Sequence, residues 1–184
     1  AYVFDFNGTS WIETAKLTAG DAAADDRFGW SVSLSGDRAL IGAYLDDDGG
    51  SRAGSAYVFD FNGTSWTETV KLTASDRVGS DEFGYSVSLS GDRALIGAIG
   101  NDDLGGDSGS AYIFDFSGGS WSETIKLTAS DGDTFDSFGF SVSLSGDRAL
   151  IGAYRDDDGA SDSGAAYLFE LDRSEEHTSE LQSL

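Results

Sequence analysis

The chain has 184 residues with 33 acidic against 11 basic side chains, a net charge of −22, and 39% hydrophobic content. That content suits a packed core, while the charge excludes nucleic acid and anionic membrane as partners, since both require a basic surface. There is no cysteine, hence no disulfide or thiolate site, and no apolar run approaches the roughly 20 residues that insert across a bilayer.

In chain order, AYVFDF and WIETAKLTA read as two strands joined by the turn NGTS, and the start lacks the basic and apolar regions of a signal peptide. SVSLSGDRALIGA follows at 31–43 and recurs verbatim at 86–98 and 141–153, a period of 55 residues. Trp11, Trp66 and Trp121 keep the same period, as do the Ala-Tyr pairs at Ala1, Ala56, Ala111 and Ala166. The chain therefore opens and closes inside a repeat, as a fragment would.

One period holds four strands. In FGYSVSLS, Phe83, Tyr85, Val87 and Leu89 alternate with Gly84 and serines, so bulky groups share one face and small ones the other, as in a strand squeezed between two sheets. The turn SGD leads into RALIGA, a short buried strand, and SAYIFDF and the half-polar SWSETIKLTA complete the unit. Such a meander cannot bury both faces alone, so the repeats must stack face on face. The expected fold class is all-β, a fragment of a β-propeller built from 55-residue four-stranded antiparallel meander blades. About thirteen strands should form an open arc over 1–172; the longer period disfavours a β-solenoid.

FGYSVSLSGDRALIGA followed by GSAYVFDF resembles the FG-GAP repeats, bacterial relatives of the integrin α-subunit propeller. Phe28-Gly29, Phe83-Gly84 and Phe138-Gly139 match the FG element, and Gly42-Ala43, Gly97-Ala98 and Gly152-Ala153 the start of GAP. The proline of GAP is replaced by Tyr44, Ile99 and Tyr154. The segment 173–184, RSEEHTSELQSL, resembles a translated sequencing-library adapter and reads as a non-native or disordered tail that packs against nothing. It contains the single histidine, His177, so the repeats have no imidazole for a triad, a His-ligated zinc or a histidine base.

In a meander the short turns SGD and NGTS share one end and the two long loops the other. The long loops carry Asp21, Asp25, Asp26, Asp46, Asp47 and Asp48 in the first repeat, then Asp76, Asp81, Glu82, Asp102, Asp103 and Asp107 in the second. In the third they carry Asp131, Asp133, Asp136, Asp156, Asp157, Asp158 and Asp162. Ca²⁺ takes six to eight oxygens from such glycine-containing loops and is favoured over Mg²⁺. The resemblance implies a cage D-x-D-x-D-G-x-x-D. The third repeat offers Asp156, Asp158 and Asp162, the second Asn101, Asp103 and Asp107, and the first Asp46 and Asp48 with Arg52 opposing a cation in the last position. Asp21, Asp76 and Asp131, with Asp26, Asp81 and Asp136, stay in register between repeats. In integrins the cage lies between FG and GAP, whereas these acids come after GA, so their assignment as metal ligands rests on chemistry. The alternative is a solvated acidic surface.

Asp37-Arg38 and its copies read as turn and surface residues, and the repeat tryptophans as packing against their own blades rather than stacking sugars. The resemblance implies recognition or adhesion outside a bacterial cell, secreted or at its surface. The ligand, a protein or a carbohydrate, would meet the acidic loop face, and further blades would flank these. The expected chain is not an enzyme. Alternatives are the propeller part of a secreted carbohydrate-active enzyme and a purely structural scaffold.

Overall fold

A computed structural model describes residues 1–171 and the backbone of 178–181. Four antiparallel sheets follow one another along the chain. The first has two strands, β1 (Tyr2–Phe6) and β2 (Trp11–Lys16). The second is the meander β3 (Ser31–Ser35), β4 (Arg38–Ala43), β5 (Ser55–Phe61) and β6 (Trp66–Leu72). The third repeats it with β7 (Phe83–Ser90), β8 (Arg93–Ala98), β9 (Ser110–Ser117) and β10 (Ser120–Leu127). The fourth contains β11 (Phe138–Ser145), β12 (Arg148–Ala153), β13 (Ala165–Leu171) and β14 (Thr178–Leu181). No sheet closes on itself and no helix occurs among the described residues, so the all-β open arc of meander blades is the observed fold.

One strand exceeds the expected thirteen. Thr178–Leu181 pairs antiparallel with β13, Leu168 opposite Leu181 and Leu171 opposite Thr178, and takes the fourth-strand place. The expectation that 173–184 packs against nothing is corrected for this stretch; 172–177 and 182–184 lie outside the described residues. The physical reason is the free edge of β13, whose backbone donors and acceptors accept any extended segment within reach.

Three apolar layers hold the sheets together. Between the second and third, Leu40, Val58 and Leu72 meet Phe83, Val87, Ile96, Tyr112 and Phe114. Between the third and fourth, Leu95, Ile113 and Leu127 meet Phe138, Leu144, Ile151, Tyr167 and Phe169. Val3 and Leu17 of the first sheet meet Ile41, Tyr57 and Phe59 of the second. Each blade thus offers aliphatic residues to the blade that follows and a mixture of aromatic and aliphatic ones to the blade before. A fully buried side chain of this size contributes about 1.5–3 kcal/mol.

The serines alternating with Val and Leu perform a second task. Ser33 and Ser35 hydroxyls accept the Leu89 and Gly91 N–H groups of the next blade at 3.0 Å, and Ser88 accepts that of Leu144 at 2.9 Å. Beside them Ser31 donates to the Gly84 carbonyl at 2.9 Å, and Ser86 to that of Gly139 at 2.7 Å. The glycines of the Gly-Ala and Phe-Gly pairs meet at this point. A Cβ on Gly42 would lie 2.0 Å from the Gly84 oxygen, and one on Gly97 2.1 Å from the Gly139 oxygen. Gly84 itself has φ +89° and would press a Cβ to within 2.3 Å of the Ser55 oxygen.

One expectation changes here. Arg38 is not a free surface residue. Its Nε donates to Asp60 at 2.7 Å and its Nη1 to Asp92 of the next blade at 2.8 Å, and its side chain is only 16% exposed. Arg93 repeats the pattern with Asp115 and Asp147. The Arg38 guanidinium also lies 4.4 Å from the Phe116 ring centre and 5.1 Å from that of Trp121. Trp121 accordingly packs on Phe116 of its own blade and on an arginine of the previous one.

Gly97→Ala should lower unfolding free energy by about 3 kcal/mol, since the Gly139 carbonyl of the next blade, together with the Ser86 hydroxyl bonded to it, occupies the methyl position. Gly63→Ala, where nothing lies within 4 Å but φ is +89°, should cost only about 1 kcal/mol. Urea unfolding of both variants checks the difference.

Candidate metal and ion-pair sites on the acidic loop face

The loops preceding each inner strand and those joining the second and third strands of each blade are bound to one another. Leu45 N–H reaches the Asp26 carbonyl at 3.3 Å, and Gly100 N–H that of Asp81 at 3.1 Å. This contact brings Asp21 of one loop to Asp46 and Asp48 of the other, with carboxylate oxygens all within 4.8 Å. Lys71 of β6 enters from below. Its ammonium lies 2.8 Å from Asp21, 2.8 Å from Asp46 and 2.6 Å from Asp48. Tyr57 of β5 donates its hydroxyl to Asp21 at 2.9 Å and Asp46 at 2.8 Å.

The electrostatics follow from this packing. Burial alone would raise the Asp46 pKa, but hydrogen bonds from Lys71 and Tyr57 hold it below the ordinary carboxylate value, and the same groups lower Asp21. Desolvation works against the Lys71 charge, yet the three aspartates raise its pKa overall. The Tyr57 hydroxyl is pushed up, first by burial and then by its carboxylate neighbours, so it stays a donor.

The second blade repeats the arrangement. Lys126 bridges Asp76, at 2.6 Å, and Asp103, while Tyr112 donates to Asp76 at 2.9 Å. Asn101 replaces the buried acid; its Oδ1 accepts from the Ser110 hydroxyl at 2.8 Å and its Nδ2 donates to Tyr112 at 3.4 Å. In the third blade Tyr167 donates to Asp131 at 2.8 Å and Asp156 at 2.6 Å, and Asp158 completes a cluster whose oxygens lie within 4.8 Å. No lysine stands against it among the described residues. The hydrogen bond between Asp158 and Asp131, and then the charges of Asp131 and Asp156, push the Asp158 carboxyl up.

The remaining candidates stand apart from these clusters. Asp26, Asp81 and Asp136 are buried turn residues, each accepting a backbone N–H three positions earlier, from Ala23, Val78 and Asp133. The other Asp81 oxygen is buried without a hydrogen-bond partner, and burial raises that carboxyl. Asp107 and Asp162 occupy left-handed positions, φ +55° and +51°, equivalent to Arg52 at +57°. Arg52 does not oppose the first cluster but pairs with Glu82 of the next blade. Sequence reasoning missed Lys71, Lys126, Tyr57, Tyr112 and Tyr167. Their signal was the recurrence of KLTA and AY at the repeat period.

Comparison with protein families places three FG-GAP repeats at 11–59, 66–114 and 121–169. The chain belongs to the FG-GAP repeat family. Each matched repeat begins on the outer strand of one sheet and ends on the third strand of the next, so the covalent unit straddles two blades. FG-GAP repeats form a β-propeller-like module, which implies further blades beside these. No curated protein matches the chain. No helix among the described residues is long and apolar enough to cross a membrane.

The signs of the shifts set a pH window. Asp21 and Asp46 are depressed, so their stabilisation is present above the unfolded carboxylate value, about 4, and is lost as pH falls through their folded values. Lys71 is raised, so its contribution is present below the unfolded lysine value, about 10.4, and disappears as pH rises through the folded one. Lys71→Met should therefore cost about 2 kcal/mol at pH 7 and progressively less below pH 4. Denaturant melts across that range measure it.

Proposed function

We propose that this chain is a recognition module of a secreted or cell-surface bacterial protein, with the acidic loop face as its ligand side and calcium as an ion held there. One observation supports the calcium part above others: Asp131, Asp156 and Asp158 converge with no ammonium against them among the described residues, whereas lysine fills the equivalent space in the two preceding blades. Ca²⁺ takes carboxylate and carbonyl oxygens in irregular geometry, and three convergent acids on glycine-containing loops match that donor set. The ion would relieve the repulsion that raises Asp158.

The adhesion reading draws on family membership and on loops that project an anionic surface from a rigid stack of sheets. A scaffold role is the second reading, favoured by Lys71 and Lys126, which neutralise two clusters internally and leave them no need of metal.

Millimolar Ca²⁺ should raise the melting temperature in proportion to the logarithm of its free concentration, and Na⁺ at equal ionic strength should do much less. Asp158→Asn should abolish most of the calcium increment, and Asp48→Asn, in a lysine-closed cluster, should leave it intact. Equal responses to both ions, or to both variants, would leave the scaffold reading in place.

A further inference from the structure

The short-turn end of the blades carries a motif that neither the packing nor the acidic face accounts for. DFNGT stands at 5–9 and again at 60–64, so Asn7 and Asn62 are each followed two positions later by a threonine, the N-x-T pattern of an N-glycosylation acceptor. Both asparagines are exposed, as are Gly8, Thr9, Gly63 and Thr64. The Asn62 turn joins β5 to β6 inside a sheet that has all four of its strands. The remaining asparagine, Asn101, is buried and is followed by two aspartates, so it lacks both the exposure and the hydroxyl.

The local geometry fixes which side-chain atom each asparagine turns outward. Asn7 Oδ1 accepts the Thr9 and Ser10 N–H groups, both at 2.9 Å, and Asn62 Oδ1 accepts those of Thr64 and Ser65, both at 3.0 Å. Two backbone donors identify that atom as the oxygen, because an amide NH2 accepts no hydrogen bond, and the nitrogen is therefore the atom left outside the turn. Asn7 Nδ2 has no partner among the described residues, and Asn62 Nδ2 makes a single long bond, 3.3 Å, to the Ser65 hydroxyl. Turn chemistry explains the asparagine, through these bonds, and the glycine, through φ of +95° at Gly8 and +89° at Gly63. It does not explain the threonines, whose hydroxyls bond to nothing among the described residues. Nor does the hairpin require asparagine. The third copy, Ser117-Gly118-Gly119-Ser120, closes the same connection with two glycines at φ +62° and +88°.

We infer that Asn7 and Asn62 are N-glycan acceptors, presented to a transferase by the folded hairpin turns. The donor is an oligosaccharide carried on a polyprenyl diphosphate. Nδ2 forms a bond to the anomeric carbon of the first sugar, the bond from that carbon to the diphosphate oxygen breaks, one amide proton passes to a base of the transferase, and the lipid diphosphate leaves. The threonine hydroxyl at the second position after the asparagine is the group the transferase reads, which gives Thr9 and Thr64 the role the fold leaves them without. In the meander these turns lie at the end opposite the long acidic loops, so a glycan there adds bulk and solubility without covering that face. Modification in the cell rests on the proposed secreted or cell-surface location, whereas the acceptor chemistry of the turns does not.

The purified folded chain, incubated with a bacterial oligosaccharyltransferase and a polyprenyl-diphosphate oligosaccharide and read by intact and peptide mass, tests this. The chain should gain two glycan masses, on the peptides that hold Asn7 and Asn62, and none on Asn101. Asn62→Asp keeps the side-chain oxygen that accepts from Thr64 and Ser65 but has no amide nitrogen, so it should lose the increment at that site with the melting temperature unchanged. Thr64→Ala should lose it as well, and Thr64→Ser should retain it. An unmodified folded chain, modification of a free peptide spanning 58–66 but not of the folded chain, or equal modification of Thr64→Ala would overturn the inference. Because enzyme and donor are supplied, such a failure would leave the reading of a secreted or cell-surface location untouched.

Discussion

The close approach of Gly42 to Gly84, repeated by Gly97 and Gly139, is the constraint on which the rest depends. At that point one blade's second strand rests on the backbone of the next blade's first strand, with only a serine hydroxyl beside the contact. A methyl group would separate the sheets, strain the Ser31 and Ser86 hydrogen bonds, and open the apolar layers that those bonds hold in register. Close-packed interiors do not absorb such a shift gradually. The FG and GA elements are therefore two halves of one contact, and each repeat carries one half for the blade before it and one for the blade after.

The same spacing builds the acidic face. Asp21 leaves the first sheet and Asp46 belongs to the second, and only blades held this close bring their loops within hydrogen-bonding distance. Once assembled, the gathered carboxylates need a counter-charge. Lys71 and Lys126 supply it from the outer strand, and Tyr57 and Tyr112 add neutral donors that burial keeps protonated. An ammonium inside a carboxylate cage competes directly with a divalent ion. Whether a loop cluster is closed by an internal ion pair thus turns on one residue of the outer strand, 23 positions beyond Asp48.

Much of the architecture was legible because verbatim repetition reports phase. The period-two alternation of FGYSVSLS marked a strand with unlike faces, and the meander order placed every long loop at one end. What alternation did not convey was that the serine face is an interface in its own right, making inter-blade hydrogen bonds through Ser33 and Ser88. Arg38 looked like a turn residue for a related reason: its partners Asp60 and Asp92 are 22 and 54 positions away, and local patterns carry no information about such pairs. Thr178–Leu181 joined β13 although nothing in its sequence marks a strand, because an open edge recruits backbone whatever the side chains.

By itself, then, the sequence determined the repeat, the strand order and the gathering of acid on one face, since all three follow from periodicity and short-range geometry. Only the tertiary structure decided which acids meet. Asp21, Asp46 and Asp48 come together, Asp26 accepts from its own loop at Ala23, and Asp162 occupies a left-handed bend while Asp158 joins Asp131 and Asp156. It also decided that Lys71 and Lys126 reach into two of the clusters. The reason is physical: carboxylate partners are chosen by where neighbouring blades place their loops, and that placement is set by backbone contact between sheets rather than by the loops' own residues.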